Sequence, residues 1–399
     1  MRSEHRLELQ KDLARHLRAG HPWVFKKALA RPPKGLPAGT IVDVVEGERF
    51  VARGYLDPHS AIVVRILTRE EGEEIDAAFW RRRVARALAI RRELVSGTSA
   101  YRLLHGESDG LPGVVADRYE RYVVLKLYSA GLTPWRADIV EALRAECGDL
   151  AGVYGRDEGA RDDDDEGSAP EGRVLWGAEP PEHLAIDEYG MKILVDVRRG
   201  QKTGLFLDQR ENRRLVRDLA RGRPEALNLF SYTGGFSVAA AKGGSTHVVS
   251  CDLDADALAL ARETFKANGL DPADHAFAQG DAFDLLALYK KQGRRFDLVV
   301  VDPPAFAKSQ KVVEAALAGY ASLNRAALHV LAPGGLLVTC SCSARVSADQ
   351  FAEAVKEAAF KTRIELSLVA ETRQPPDHPI SLQFKEGRYL KAMVLRRMA

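Results

Sequence analysis

"EALNLFSYTGGFSVAAAKGG" (Glu225–Gly244) runs from an apolar stretch through a Gly-Gly loop into an alanine-rich stretch. Its first six residues have the length and apolar content of a buried strand, and the remainder reads as a loop that turns into a helix. The alternation then repeats. "THVVSCD" precedes "ADALALARETFKANGL", "RFDLVVVD" precedes "VVEAALAGYASLNRAALHVL", and "GGLLVTCS" precedes "ADQFAEAVKEAAF". Buried β-branched runs alternating with amphipathic helices mark a parallel sheet covered on both faces. From about Leu184 onward the chain is expected to form a doubly wound α/β domain.

Such sheets take their ligands outside the carboxyl ends of the strands, near the switch in strand order. Four predicted strand ends carry suitable residues. The first is the loop Phe230, Ser231, Tyr232, Thr233, Gly234 and Gly235, where missing side chains let backbone approach a ligand. The second is Asp252 with Leu253, an acid placed to accept hydrogen bonds from a ribose diol. The third is "GDAF", with Asp281 and Ala282, and the fourth is "VDPPAF", with Asp302, Pro303, Pro304 and Phe306. The full G-x-G-x-x-G pattern is absent, which disfavours a cofactor whose pyrophosphate must be cradled. An acid for ribose without a phosphate loop fits S-adenosylmethionine better than NAD. The competing reading is that Asp252 and Asp281 only cap the helices behind them.

The rest of the chain differs in character. To about Thr68, short β-rich runs ("GTIVDVVEG", "RFVARGYLD", "SAIVVRILT") are separated by Gly, Pro and Asp turns and read as a small β-barrel. A basic helix is expected over Phe79–Leu94, followed by a turn-rich stretch and strands. The acidic "RDDDDEGSAPEG" (Arg161–Gly172) has the composition of an exposed loop. Domain boundaries are accordingly expected at 1–72, 73–182 and 183–399.

A chain of 399 residues with 46% hydrophobic and 29% charged residues is long enough for two or three cores. No apolar run approaches the ~20 residues of a membrane helix, and the start "MRSEHRLELQ" lacks the apolar core of a signal peptide. Four cysteines in so long a chain point to a reducing cytoplasm rather than a disulfide framework. Cys340 and Cys342 have no matching Cys/His pair, so no metal site is expected. Net charge is only +2, yet residues 1–69 hold 13 Lys and Arg against 7 Asp and Glu. A basic end on a near-neutral chain suits a polyanionic partner.

Four stretches carry a family resemblance: "GHPWVFKKAL" (Gly20–Leu29), "HGESDGLPGVVADRY" (His105–Tyr119), "GQKTGLFLDQRENR" (Gly200–Arg213), and "DPPAFAKS" together with "CSCS". With them the chain resembles the bacterial PUA-domain family of 23S ribosomal RNA cytosine-5 methyltransferases. The resemblance implies an α/β protein. A C-terminal Rossmann-like class I methyltransferase domain would be preceded by an N-terminal β-barrel PUA domain and a middle α+β domain. It also implies S-adenosylmethionine as cofactor, 23S rRNA or an assembly intermediate as partner, and no membrane. The oligomeric state stays open, a homodimer among the options. Unlike the wider RNA cytosine-5 methyltransferases, this chain has no cysteine just after "DPP", which leaves one catalytic cysteine in "SCS".

The chemistry explains why a cysteine is needed. C5 of cytosine is a poor nucleophile, and a thiolate adding to C6 makes it enamine-like. Cys342 falls on the family's nucleophile position, and Cys340 lies deeper along the strand. The competing reading is that both are small buried hydrophobes. Asp302 is expected to meet the N3 and exocyclic amine side of the base with one carboxyl proton held. Pro303 and Pro304 stiffen the turn, and Phe306 is placed either to stack on an extruded base or in the core. Phe206 and Gln209 are placed to reach the adenosyl or methionine part, although an amphipathic helix start explains them as well. Two rival functions remain: a guanine methyltransferase on the same scaffold, which would need no thiol, and an RNA-binding assembly factor without turnover.

Overall fold

The computed structural model describes residues 4–10, 13–31, 33, 35–156, 172–306 and 312–398. Of the acidic loop expected at Arg161–Gly172, all but Gly172 lies outside the described residues. The chain divides into two compact units. The first comprises 1–184, 196–205 and 376–387, and the second 185–195, 206–375 and 388–399.

The first unit begins with a five-stranded sheet of β1 (Arg6–Glu8), β2 (Trp23–Phe25), β3 (Ile41–Glu46), β4 (Arg49–Leu56) and β5 (Ile62–Thr68), ordered β1-β3-β4-β5-β2. The short helix α1 (Ala14–Arg18) joins β1 to β2. An antiparallel bridge between Leu9 and Leu29 links the two edge strands and rolls the sheet toward a barrel. Closing an edge in this way satisfies backbone groups that would otherwise be open to pairing. The middle of the unit is a second sheet, β10-β9-β8-β7-β6, built from β6 (Ala100–His105), β7 (Val114–Tyr119), β8 (Tyr122–Leu127), β9 (Gly152–Gly155) and β10 (Arg173–Gly177). Helices α2 (Ala77–Leu94) and α3 (Arg136–Cys147) belong to the same unit. Tyr55 and Leu67 of the barrel share one buried cluster with Phe79, Trp80 and Val84 of α2 and with Leu103 and Val123 of the second sheet.

Helix α2 starts where Asp76 accepts from the Phe79 amide at 2.7 Å. Its arginines are engaged inside the unit. Arg81 pairs with Glu146, and Arg82 and Arg83 pair with Glu73. Arg91 is buried and donates to both oxygens of Asp109 at 2.7 and 2.8 Å. Arg83 and Arg91 of this basic run thus fasten the unit from within, while the Arg81 and Arg82 side chains stay mostly exposed.

The second unit is a seven-stranded sheet flanked by helices. Its strands are β13 (Glu225–Leu229), β14 (His247–Asp252), β15 (Ala276–Gln279), β16 (Phe296–Val301), β17 (Leu331–Ser341), β18 (Leu366–Thr372) and β19 (Lys391–Arg397). A small hairpin of β11 (Leu184–Glu188) and β12 (Met191–Val195) precedes them. The order is β15-β14-β13-β16-β17-β19-β18, parallel except for β19, which runs antiparallel to both neighbours. The helices are α4 (Arg210–Leu219), α5 (Gly235–Gly243), α6 (Ala255–Ala267), α7 (Ala282–Lys291), α8 (Val313–Leu328) and α9 (Ala348–Thr362). Two buried clusters, one on each face, sandwich the sheet, as the unbroken apolar strands require. The expected helix beginning at Val312 stops at Leu328, and Leu331 opens β17, opposite Phe296 of β16. Among the described residues no helix is long and apolar enough to cross a membrane.

Candidate active site

β13, β14, β15, β16 and β17 run parallel, so their carboxyl ends form one edge, and the order reverses between β13 and β16. That is where a crevice opens in a doubly wound sheet. Every candidate position except Phe206 and Gln209 lies at or just beyond one of these strand ends.

The loop after β13 is held in an uncommon backbone shape. Phe230 (φ 58°), Tyr232 (φ 47°) and Gly234 (φ 81°) all adopt the left-handed region. Two of them are non-glycine aromatic residues, which makes the conformation costly and characteristic of ligand-binding loops. A Cβ at Gly234 would lie 2.9 Å from the Ala261 Cβ, so glycine is needed for space as well as for φ. The side-chain hydroxyls of Ser231 and Thr233 are buried, and among the described residues they find no hydrogen-bond partner. Polar atoms in that state are expected where a ligand supplies the partner.

The carboxylates at the ends of β14 and β15 differ. Asp252 Oδ2 accepts from the Tyr232 amide at 2.7 Å, and Oδ1 accepts from the Asp254 amide at 3.0 Å. The cap of α6 is Asp254 instead. Asp252 therefore shapes the loop and does not cap the helix. Asp281 does cap its helix, accepting from the Phe283 amide at 2.8 Å and the Asp284 amide at 3.4 Å. Leu253 is 65% exposed, whereas Ala282 is buried.

The stretch before β13 reaches the same edge. Arg213 donates to both carboxylate oxygens of Glu188 at 2.7 and 2.6 Å and to the Phe206 carbonyl at 2.9 Å. A Cβ at Gly235 would collide with the Arg213 side chain, so the second glycine admits this arginine. The Phe206 ring meets Tyr232 edge-on at 5.6 Å. Gln209 is buried and donates to Asp302 Oδ1 at 2.8 Å, while its carbonyl oxygen accepts from Asn212. Thr372 in turn donates to Asn212. A continuous relay thus runs from β18 through α4 to Asp302, and the sequence does not reveal it.

Asp302 follows β16. Burial and the nearby Asp208 charge raise its carboxyl to about 7, against the opposing pull of the Gln209 hydrogen bond and Arg213. The Asp208 carboxylate accepts from the Tyr389 hydroxyl at 2.8 Å. Pro303 is buried and Pro304 exposed. Phe306 packs on the core with its ring centroid 4.8 Å from that of Tyr320.

The two cysteines separate at the end of β17. Cys340 lies inside the strand, fully buried, and burial together with the Asp302 charge holds its thiol well above the ordinary range. Cys342 lies one residue beyond the strand, partly exposed, with Sγ 4.0 Å from the Pro303 carbonyl oxygen. The flanking serines turn inward. Ser341 Oγ donates to the Tyr320 hydroxyl at 3.0 Å, and Tyr320 and Ser343 share a hydrogen bond of 2.9 Å. Lys391 pins the turn that follows, donating to the carbonyls of Ser343 and Val346. Cys251 lies in the core and Cys147 is partly buried.

Comparisons with known proteins identify the family. Residues 156–396 match the family model of S-adenosylmethionine-dependent methyltransferases, and residues 7–69 match that of the PUA-like domain. A Shewanella denitrificans protein named Ribosomal RNA large subunit methyltransferase I is 40% identical over 98% of this chain and 99% of its own. The Salmonella choleraesuis protein of the same name is 39% identical over 98% of each. Among solved structures, a Streptococcus mutans protein assigned as a SAM-dependent methyltransferase superposes with a TM-score of 0.84 at 26% identity, covering 98% of this chain and 100% of that one. Another chain, assigned as a methyltransferase and complexed with SAH, reaches 0.86 with the same identity and coverage. The unpartnered hydroxyls of Ser231 and Thr233, the glycine-lined loop and the tethered Asp252 suit S-adenosylmethionine. This chain belongs to the family of S-adenosylmethionine-dependent methyltransferases with a PUA-like N-terminal domain that includes the proteins named Ribosomal RNA large subunit methyltransferase I.

Proposed function

We propose that the protein methylates C5 of a cytosine in large-subunit ribosomal RNA, as free 23S rRNA or within an assembly intermediate, through a covalent bond from Cys342. The observation that carries this reading is the placement of Cys342 at the cleft end of β17 beside the Asp302-Pro303 turn, with a carboxyl at Asp302 raised to about 7. The names of the full-length relatives support ribosomal RNA as the substrate.

In this mechanism the Cys342 thiolate adds to C6 of the base, and the electron pair of the C5–C6 double bond moves into the ring. Asp302, carrying its proton, donates toward N3 and stabilises the charge that develops there. Gln209, fixed by Asn212, keeps the Asp302 carboxyl in place. S-adenosylmethionine, when bound, supplies the sulfonium methyl group that the activated C5 takes up, leaving S-adenosylhomocysteine. Removal of the C5 proton by a base then returns the electron pair to the C5–C6 bond and expels the Cys342 thiolate. Ser231, Thr233 and Asp252 would hold the cofactor, with Phe206 and Tyr232 along its edge. Phe230, Gly234, Gly235 and the segments at Leu253 and Asp281–Ala282 would complete that wall, while Pro303, Pro304 and Phe306 border the base.

The test is an RNA substrate carrying 5-fluorocytidine, in which the C5 position has no proton to lose. Wild-type protein and Cys340→Ala should form an adduct stable to denaturing gel electrophoresis, and Cys342→Ala should form none while still binding cofactor. The reverse pattern would exchange the two cysteines. Active protein with no adduct in any variant would point to guanine as the target.

A further inference from the structure

Lys391 is the first residue of β19 and sits in register opposite Ser341, the neighbour of Cys342. It is only 6% exposed. Its ammonium donates to the Ser343 carbonyl at 2.6 Å and to the Val346 carbonyl at 2.8 Å, both in the turn that leaves Cys342. Two neutral carbonyls satisfy donors without neutralising a charge, and a buried ammonium needs a counter-charge to be tolerated. Among the described residues no carboxylate lies within ion-pair distance of it. Burial lowers Lys391 to about 8, Arg373 acts in the same direction, and the charge on Cys342 is the one that opposes them. Among the described residues, titratable groups near the cysteine include Tyr320 from α8, whose hydroxyl is committed to Ser341 and Ser343, and Cys340 with Asp302 behind it.

We infer that Lys391 is a positioning residue that holds Cys342 as a thiolate by supplying the counter-charge beneath the Ser341–Val346 turn. The inference rests on the proposed role of Cys342 as nucleophile and extends it. An ordinary thiol keeps only a small fraction as thiolate at neutral pH, and a neighbouring cation raises that fraction. The two carbonyl bonds give the ammonium one fixed location, so the field it exerts on Cys342 is built into the fold before RNA arrives. In free protein the thiol proton leaves to water, and the lysine keeps its own.

The experiment follows carbamidomethylation of the Cys342 peptide by iodoacetamide in the full-length protein, read by mass spectrometry from pH 5.5 to 10. Wild-type protein should show a midpoint below the ordinary thiol value of about 8.5. Lys391→Met, of similar length but neutral, should move the midpoint up by about one pH unit and slow alkylation at pH 7 about tenfold. Lys391→Arg should stay close to wild type. A wild-type midpoint at or above the ordinary value overturns the inference, even if the methionine variant does not fold. So does an unshifted midpoint in a folded methionine variant that still binds cofactor by calorimetry. The 5-fluorocytidine adduct separates the two ideas. A wild-type adduct with an unshifted midpoint removes Lys391 alone, whereas a missing adduct removes the nucleophile role and leaves the alkylation result to judge the lysine.

Discussion

Asp302 combines a half-buried carboxyl, a neighbouring acid and one amide donor from Gln209. A carboxyl raised to about 7 holds its proton below that pH and loses it above. If the protonated form assists at N3, kcat/KM should fall as pH rises through about 7 on account of this group, while the Cys342 thiolate gives an opposing, ascending limb. Asp302→Asn keeps a donor that does not titrate. Its pH profile should therefore lose the descending limb, with a rate reduced about tenfold or more because an amide is the weaker proton donor. Stability should move the other way. A raised carboxyl favours the fold below the unfolded value near 3.8 and loses that contribution as pH rises through the folded value. Above pH 7 the asparagine variant should then be more stable than wild type, by about 2–4 kcal/mol for a shift of this size. Equal melting temperatures at pH 5 and pH 8 for both proteins would show that the carboxyl is not raised.

At the scale of the elements, the two acids at the ends of β14 and β15 carry separable duties. Asp281 caps α7, so Asp281→Ala should cost about 1 kcal/mol of stability. Asp281→Ser keeps an acceptor for the Phe283 amide and should restore that stability, and any loss of cofactor affinity that remains belongs to a direct contact. Asp252 caps nothing and holds Tyr232, so Asp252→Ala should weaken S-adenosylmethionine binding by about 1–3 kcal/mol, measured by calorimetry. Unchanged affinity in a folded variant would remove Asp252 from the site. The alternation of strands and helices was legible because buried runs and amphipathic faces have different periods. The boundary at Leu328–Leu331 was not, because the apolar run "LHVL" serves both the end of α8 and the start of β17. Sequence also exposed the strand ends, down to Cys342 past the strand and Cys340 inside it. It hid the Thr372–Asn212–Gln209–Asp302 relay, the Glu188–Arg213 pair and Lys391. Each joins residues far apart in the chain, and no local pattern announces such a pair.

For the molecule as a whole, several cations of the basic N-terminal region are already engaged in ion pairs within it. Arg53 pairs with Asp43 and Arg65 with Asp57 in buried positions, and Arg6 and Arg18 meet Glu48 and Glu46 at the surface. Arginines of α2 make similar pairs, so a count of Lys and Arg alone overstates the unengaged cations available to RNA. Lys26 and Lys27, by contrast, are exposed and follow Phe25, which is 46% exposed. Exposed cations beside an aromatic ring suit a single-stranded backbone with its bases. Removing the barrel would be a poor test, because Tyr55 and Leu67 share the core of α2 and Tyr55 donates to the Pro112 carbonyl at 2.8 Å. Truncation near residue 75 would strip that core. Charge reversal leaves it intact. Lys26→Glu combined with Lys27→Glu should weaken binding to ribosomal RNA about tenfold or more at moderate salt. It should also reduce the slope of log affinity against log salt by about 0.7–0.9 for each phosphate that the protein no longer neutralises. Cofactor affinity should not change, since both lysines lie in the unit that lacks the strand-end loops. Filter binding at several salt concentrations gives both numbers, and an unaltered slope in the double variant would exclude this face from the RNA interface.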